Sequence, residues 1–420
     1  MCKELTLEQR REPYWQKLES VIGAESTAAM KEIYALYTEE LVDWFASLYD
    51  VQTGGYYYSE SARDNEGFLP DAESTNQALG FWNASGMLAE VGGSYTKGLP
   101  QWMQEDICRF VDSLQDPDGY FYHPQWGKNI SLSRRGRDLN WCRRMLGFFG
   151  KKPRYATILD ATPAKDGETL IPDHLATAEA FAEYLESLNI PERSYHKGSE
   201  LSSQFSQIAA RGFGGQLIEF LNGLQHPETG VWHREANYYG INGLMKLSGV
   251  YASAGLLLPN APAAARSAAA AIVSDEPVGA VVDIWNTWIA VSRVCTVLRS
   301  SGGEEGNRQA DDIVAMMRDR AAECLGRTRE KLAPFRKSGS SFSYSPHRSS
   351  PTSQGVPAAV KDTREGDVNA TVIATSLMVN AFYDVLEVPA EARVPIFFEQ
   401  DRRRYVELLE KKRKETLSDN

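Results

Sequence analysis

Within the seven residues His233 to Tyr239 stand an imidazole, a guanidinium, a carboxyl group, an amide and two phenols. Such a set can move protons at a sugar. Hydrolysis of a glycosidic bond needs two carboxyl groups flanking the bridging oxygen, about 5 Å apart for retention and farther apart for inversion. Asp71, Glu73, Asp138, Glu235, Asp283 and Asp367 are the acids at helix starts and turns. Asp138 and Glu235 are the expected catalytic pair, because His123, Arg137, His233 and Arg234 stand close enough in sequence to tune their protonation. Elimination needs another arrangement, in which a Tyr or His takes the proton alpha to a uronate carboxyl and Asn, His or Arg stabilises the acidic intermediate. His233 and Tyr238 are the expected catalytic residues for that route.

A sugar also needs flat aromatic faces and directional polar partners. Asn76, Gln77, Trp82, Arg137, Asn140, Trp141, Tyr239, Asn242, Trp285, Asn286 and Asn369 provide them, and Glu73 and Asp367 are expected to hold hydroxyls. Five of these stretches open alike, with an acid or turn followed by Asn and then an apolar run: Glu73 to Asn76, Asp138 to Asn140, Tyr239 to Asn242, Asp283 to Asn286 and Asp367 to Asn369. The pattern predicts helices that begin at one level of a ring, with polar first turns around a shared pocket. The same acids suit plain helix capping, where a carboxylate accepts from free N–H groups and complements the dipole.

Helical periodicity dominates the elements that would position these groups. Tyr34, Tyr37, Leu41, Phe45 and Leu48 recur at three- or four-residue spacing, as do Phe181, Tyr184, Leu185 and Leu188. Strand signals are confined to short aromatic patches, Tyr56 to Tyr58 and Phe342 to Tyr344, which are expected to form small hairpins. Four glycine-and-aromatic turns mark a repeat at Gly55, Gly119, Gly230 and Gly339. Their intervals are 119 − 55 = 64, 230 − 119 = 111 and 339 − 230 = 109. The last two are near twice a unit of about 55 residues, enough for two helices and two loops. Six helical hairpins follow, in an all-α (α/α)6 toroid with inward helices starting near Ser74, Asp138, Asp173, Tyr239, Asp283 and Asp367. The toroid is expected over residues 30–395, with a helical extension at 1–29 and a charged helix at 396–420. Residues 300–307 read as a mobile connector, and the Ser- and Pro-rich stretch 338–367 reads as a lid or wall over the same end.

The segment from Arg211 to Trp232, with Gln225, Gly230 and Trp232, resembles the Gln/Trp repeat of terpene cyclases. Phe110 to Phe121 looks like a degraded copy. The resemblance spans roughly residues 30 to 395 and implies the alpha/alpha toroid of terpenoid cyclases, protein prenyltransferase beta subunits and many six-hairpin glycosidases and polysaccharide lyases. The chain departs from the isoprenoid members: it has no Asp-x-Asp-Asp acid motif, and position 315, third acid of a metal-diphosphate motif begun by Asp311 and Asp312, is Ala. Fold likeness alone does not select a reaction.

A formal charge of −11 and a pI near 5.3 argue against a nucleic-acid surface. Cys2, Cys108, Cys142, Cys295 and Cys324 are odd in number and far apart, which suits free thiols in a reducing compartment. The first residues carry no apolar leader, so a cytoplasmic location is expected. The apolar stretches near 250–258 and 261–273 are short and broken by Pro or Arg, and no membrane partner is expected. The scattered His residues and the lack of a phosphate loop call for no metal and no cofactor. The expected activity is cleavage of glycosidic bonds in an oligosaccharide, by hydrolysis or, alternatively, by elimination at uronic acids. A terpenoid or prenyl enzyme and a non-catalytic glycan-binding protein are the remaining alternatives.

Overall fold

A computed structural model describes residues 5–160 and 169–418. The chain opens with α1 (Leu7–Ile22), α2 (Ala24–Tyr34), α3 (Glu40–Leu48), α4 (Glu60–Arg63) and α5 (Ala72–Ala84). Next come α6 (Tyr95–Gly98), α7 (Gln101–Leu114) and α8 (Leu132–Phe148), followed by α9 (Ala178–Ser187), α10 (Ile190–Ala210) and α11 (Gly214–Asn222). The second half contains α12 (Tyr238–Ala254), α13 (Ala261–Val273), α14 (Val281–Ser301), α15 (Gly303–Asp319) and α16 (Ala321–Leu332). Finally α17 (Val368–Val372) runs through a π turn at Ile373–Leu377 into α18 (Met378–Val385), and α19 (Glu399–Ser418) ends the described chain.

The packing is ring-like and non-sequential. Helix α5 lies on α8, α8 on α10, α10 on α12, α12 on α14 and α14 on α18, while α17 returns to α5. Outside them α7 covers α8, and α13 and α15 cover α14. The chain ends join through α16 on α2 and α3 on α19, so α2 crosses the expected boundary at residue 29 and packs as part of the body. Helix α14 is long and apolar enough to span a bilayer by length and composition, but here it is an inner helix with helices on several sides.

Close approach between inner helices requires glycine. A Cβ at Gly136 on α8 would stand 2.5 Å from the Ser203 carbonyl oxygen on α10, and one at Gly243 on α12 would stand 2.5 Å from Ser194 Oγ. Inner helices α5, α8, α12 and α17 begin with local side-chain caps. Asp71 accepts from the N–H groups of Glu73 and Ser74, Ser131 from Arg134, Asn237 from Gly240 and Asp367 from Ala370. Asp283 sits in the first turn of α14 and reaches back to the N–H groups of Gly279 and Ala280.

The marker turns recur as a structural motif. Each follows an outer helix and folds back by one bridge: Tyr49 with Tyr56, Gln115 with Phe121, and Arg336 with Phe342. At Gly230 the equivalent closure is a 2.8 Å bond from His226 N–H to Val231 O, and Trp232 Nε1 donates to Leu221 O at 2.8 Å. The match extends into the next helix at two sites. Thr75 Oγ1 accepts from Tyr56 N–H at 2.9 Å, and Thr371 Oγ1 accepts from Phe342 N–H at 3.0 Å.

Several expectations need correction. Asp138 does not start a helix; Ser131 does, and Asp138 lies in the second turn of α8. Asp173 opens only a 3-10 turn before outer α9, while the inner helix of that unit is α10, which starts after Asn189 with φ 48° and no side-chain cap. Residues 300–307 are not a mobile link, because α14 and α15 almost abut. The aromatic patches form bridges rather than hairpins. The two-stranded sheet found among the described residues is β1 (Thr352–Ser353) with β2 (Val356–Pro357). Cys2 lies outside the described residues; Cys108, Cys142, Cys295 and Cys324 are free.

Candidate active site

A cavity of about 700 Å³ opens among α5, α8, α10, α12, α14 and α17, with β1 and its turn forming part of the wall. Trp141, Trp285, Tyr195 and Tyr344 provide its aromatic faces, and Gln77, Asn140, Asn286, Asn369 and Gln354 its amides. These are the flat and directional partners a sugar ring requires. Several amides are locked by one another: Gln77 Nε2 donates to Asn369 Oδ1 at 2.9 Å, and Asn286 Nδ2 to Asn242 Oδ1 at 2.8 Å.

Beside the cavity lies a buried charge cluster. Arg134 of α8 donates from Nε to Asp138 at 2.9 Å, from Nη1 to Glu73 at 3.0 Å and from Nη2 to Asp71 at 3.2 Å. Its guanidinium also lies 4.5 Å from the Trp126 ring centroid. Burial opposes the charge of Arg134, but Asp138, Glu73 and Asp71 outweigh it and hold the guanidinium protonated. Three acids share that one cation. Burial pushes the Asp138 carboxyl up to about 6 against the pull of Arg134, and its Oδ1 is buried without a hydrogen-bond partner. Glu73 also accepts from Ser353 Oγ of the β1 wall.

One turn further along α8, Arg137 points to different company. It donates to Ser199 Oγ at 2.8 Å and Ser203 Oγ at 3.1 Å, and its nearest carboxylate oxygen, on Glu73, is 3.8 Å away. Lys246 of α12 also lines the cavity. Burial, then the Arg137 and Arg293 guanidiniums, push the Lys246 ammonium well below its ordinary pKa.

Groups able to transfer protons come mainly from α10. His196 Nδ1 and Tyr239 Oη share a 2.8 Å hydrogen bond, and His233 packs its ring 5.1 Å from that of Tyr239. Burial raises the pKa values of the Tyr195 and Tyr344 hydroxyls, so both remain neutral phenols near pH 7. Glu200 is the carboxylate among the cavity's lining side chains, and it accepts from Tyr184 Oη at 2.7 Å and Lys197 Nζ at 3.0 Å.

The structure gathers Gln77, Arg137, Asn140, Trp141, Trp285, Asn286 and Asn369 at the cavity, with Tyr239 one bond away through His196. It separates the others. Glu235 is exposed and bonded to Asn237, whereas Asp138 is buried on Arg134, so the expected pair does not face a common groove. Trp82 is in the core, 4.3 Å from the ring of Tyr405. Tyr238 is buried and accepts from Lys331 Nζ at 2.7 Å, and His233 Nδ1 is bonded to Pro191 O at 2.8 Å. Asn76 accepts from Arg144, Asn242 donates to Asp283, and Asp367 caps α17 while accepting from Tyr344 N–H. Lys246 and the α10 side chains Tyr195, His196, Ser199, Glu200 and Ser203 were missed. Their one- to four-residue spacing on a helix is the signal that could have found the α10 set.

A larger cleft of about 1300 Å³ lies between α1 and α19, but its central cation, Arg10, is already paired with Asp401 and Glu39. Among the described residues, no group of three or more His, Cys, Asp or Glu side chains is placed to hold a metal. Comparison with known proteins found no matching family model, curated protein or solved structure.

Proposed function

We propose that the chain is a carbohydrate-active enzyme with a six-hairpin (α/α)6 toroid, which cleaves glycosidic bonds of an oligosaccharide held in the 700 Å³ cavity. The observation that carries this reading is the convergence of Trp141, Trp285, Tyr195 and Tyr344, five amides and a hydrogen-bonded His196–Tyr239 pair in and beside one cavity. An isoprenoid site would instead call for a mostly apolar wall.

Elimination fits this lining better than hydrolysis. Hydrolysis asks for two facing carboxyl groups, and Glu200, the carboxylate on the wall, is already held by Tyr184 and Lys197. In the elimination, His196 Nε2 takes the proton from the carbon next to a uronate carboxyl while its Nδ1–H bonds to Tyr239. The C–O bond to the leaving sugar breaks, a C=C bond forms in its place, and Tyr195 returns a proton to the departing oxygen. The neutral phenols of Tyr195 and Tyr344 suit that donor role.

The test is incubation of the full chain with a panel of neutral and acidic oligosaccharides, read by new reducing ends and by unsaturated-sugar absorbance. Both signals together support elimination. Reducing ends without the absorbance mean hydrolysis, and binding without either signal means a glycan-binding protein.

A further inference from the structure

We infer that the cavity selects an acidic sugar, whose carboxylate or sulfate group sits between Arg137 and Lys246. The inference rests on the glycan reading above and names the substrate class. Arg137 and Lys246 enter from α8 and α12, the two inner helices that flank α10, and both line the same cavity. Neither has a carboxylate of its own. The direct hydrogen-bond partners of Arg137 are two serine hydroxyls. The Glu73 carboxylate 3.8 Å away is already engaged by Arg134 at 3.0 Å and by Ser353. Among the described residues the Lys246 ammonium has no hydrogen bond or ion pair; it lies 6.0 Å from the Tyr195 ring centroid, and Arg137, Arg293 and Glu73 act on it only through space.

Two cations in one partly enclosed space repel each other, and an unpaired buried charge is costly. An arriving anion relieves both penalties. Arg137 offers a planar fork whose geometry matches a carboxylate or sulfate, with Ser199 and Ser203 fixing its orientation, and Lys246 adds a point charge. The other charged or titratable groups around the pair are Tyr58 before α4, Glu73 on α5, Tyr195, His196 and Glu200 on α10, Arg293 on α14, and Tyr344 before α17. Arg293 adds positive charge behind Lys246 and spends its own N–H on the Met245 carbonyl. Burial and the neighbouring guanidiniums lower the proton affinity of the empty-site amine, and a bound anion raises it again, so a proton missing from the empty site is taken up on binding.

The experiment is calorimetric titration of the full chain with three matched oligosaccharides: a uronate oligomer, its methyl ester, and a sulfated neutral oligomer. We expect at least one acidic form to bind about tenfold or more tightly than the ester. Repeating the titration in buffers of different ionisation enthalpy should show uptake of up to one proton. Lys246→Met should weaken the acidic ligand about tenfold and change the ester less than about twofold. The uronate and sulfate arms identify which anion is read. Equal binding of acid and ester overturns the anion site while leaving the glycan reading intact, whereas no binding by any oligomer removes both. The acid-against-ester comparison needs no variant, so it decides the question even where Lys246→Met fails to fold.

Discussion

Arg134 and Arg137 lie one turn apart on α8 and live in opposite surroundings. Arg134 is fully buried among three carboxylates, with more negative than positive charge around it. Arg137 lines a cavity with Lys246, hydrogen-bonds only to hydroxyls and lies 5.7 Å from the Trp141 ring centroid. The first arrangement is closed: each guanidinium arm is spent on a protein acid, and the product is rigidity at the α5–α8 contact. The second keeps positive charge in reserve. An arginine whose donors are spent on protein acids and one that faces a cavity with hydroxyl partners are told apart by what their donors already bond, and sequence spacing alone does not report that.

The largest way to test this division is Arg134→Met. Removing the shared cation leaves Asp71, Glu73 and Asp138 buried without a counter-charge, and breaking a buried pair in this way costs about 3–5 kcal/mol. Chemical denaturation should show that loss near pH 7, and acidification should recover part of it as the carboxylates protonate. A loss under about 1 kcal/mol would mean that the cluster is wetter and weaker than its geometry implies.

The next effect concerns pH. The Asp138 carboxyl is raised to about 6 by burial, above its ordinary unfolded value of roughly 3.9. In the interval between these values the folded chain binds more protons than the unfolded one. The contribution of Asp138 to stability is therefore fully present below about pH 4 and is lost as pH rises through about 6, a change of up to about 3 kcal/mol. Asp367, pushed up to about 7 by burial against the pull of its neutral hydrogen-bond donors, adds a loss of the same sign. In Asp138→Asn the part of the slope ending near pH 6 should vanish from the stability profile while the Asp367 part remains. An unchanged profile would place the surplus proton elsewhere in the cluster.

Between the two arginines lies Gly136, and Gly136→Ala tests whether α8 must press on α10 to aim Arg137 at Ser199 and Ser203. The added methyl meets the Ser203 carbonyl at 2.5 Å, and overpacking of that kind costs about 1–3 kcal/mol. Stability and acidic-ligand affinity should fall together. A variant as stable as the parent would show that the helices have room to spare.

How legible all this was in the chain varies with the physics involved. The ring-like helical packing showed in apolar periodicity, and the repeat showed in turns whose glycines and aromatics do the same local job each time. Asp71 with Thr75 and Asp367 with Thr371 even repeat one hydrogen-bond pattern, because a cap is a short-range feature that a few residues specify. Helix α10 stayed hidden because it starts at Asn189 without an acid cap, and with it went Tyr195, His196 and Ser199. The pairing of Asp138 with Glu235 failed for a different reason. Chain proximity to His and Arg cannot tell whether an acid will end on a buried guanidinium, as Asp138 does, or in solvent, as Glu235 does. Trp82 looks like a ligand wall and packs instead on Tyr405, a contact made across more than three hundred residues.

The smallest expected effect on stability is the sharpest for the comparison. Arg137→Met removes two hydrogen bonds to serines, and both hydroxyls keep other partners: Ser203 donates to the Ser199 carbonyl at 2.6 Å, and the cavity gives Ser199 access to water. A partly exposed arginine that hydrogen-bonds to neutral hydroxyls, with its nearest carboxylate 3.8 Å away and already held by Arg134, contributes about 1 kcal/mol or less. Relief of repulsion with Lys246 offsets even that, and should bring the lysine's proton affinity back up. Arg137→Met should therefore unfold within about 1 kcal/mol of the parent in the same denaturant titration that costs Arg134→Met several times more. If the two variants lose equal stability, Arg137 is a structural arginine like its neighbour, and the positive charge of the cavity is part of the scaffold rather than a reserve for ligand.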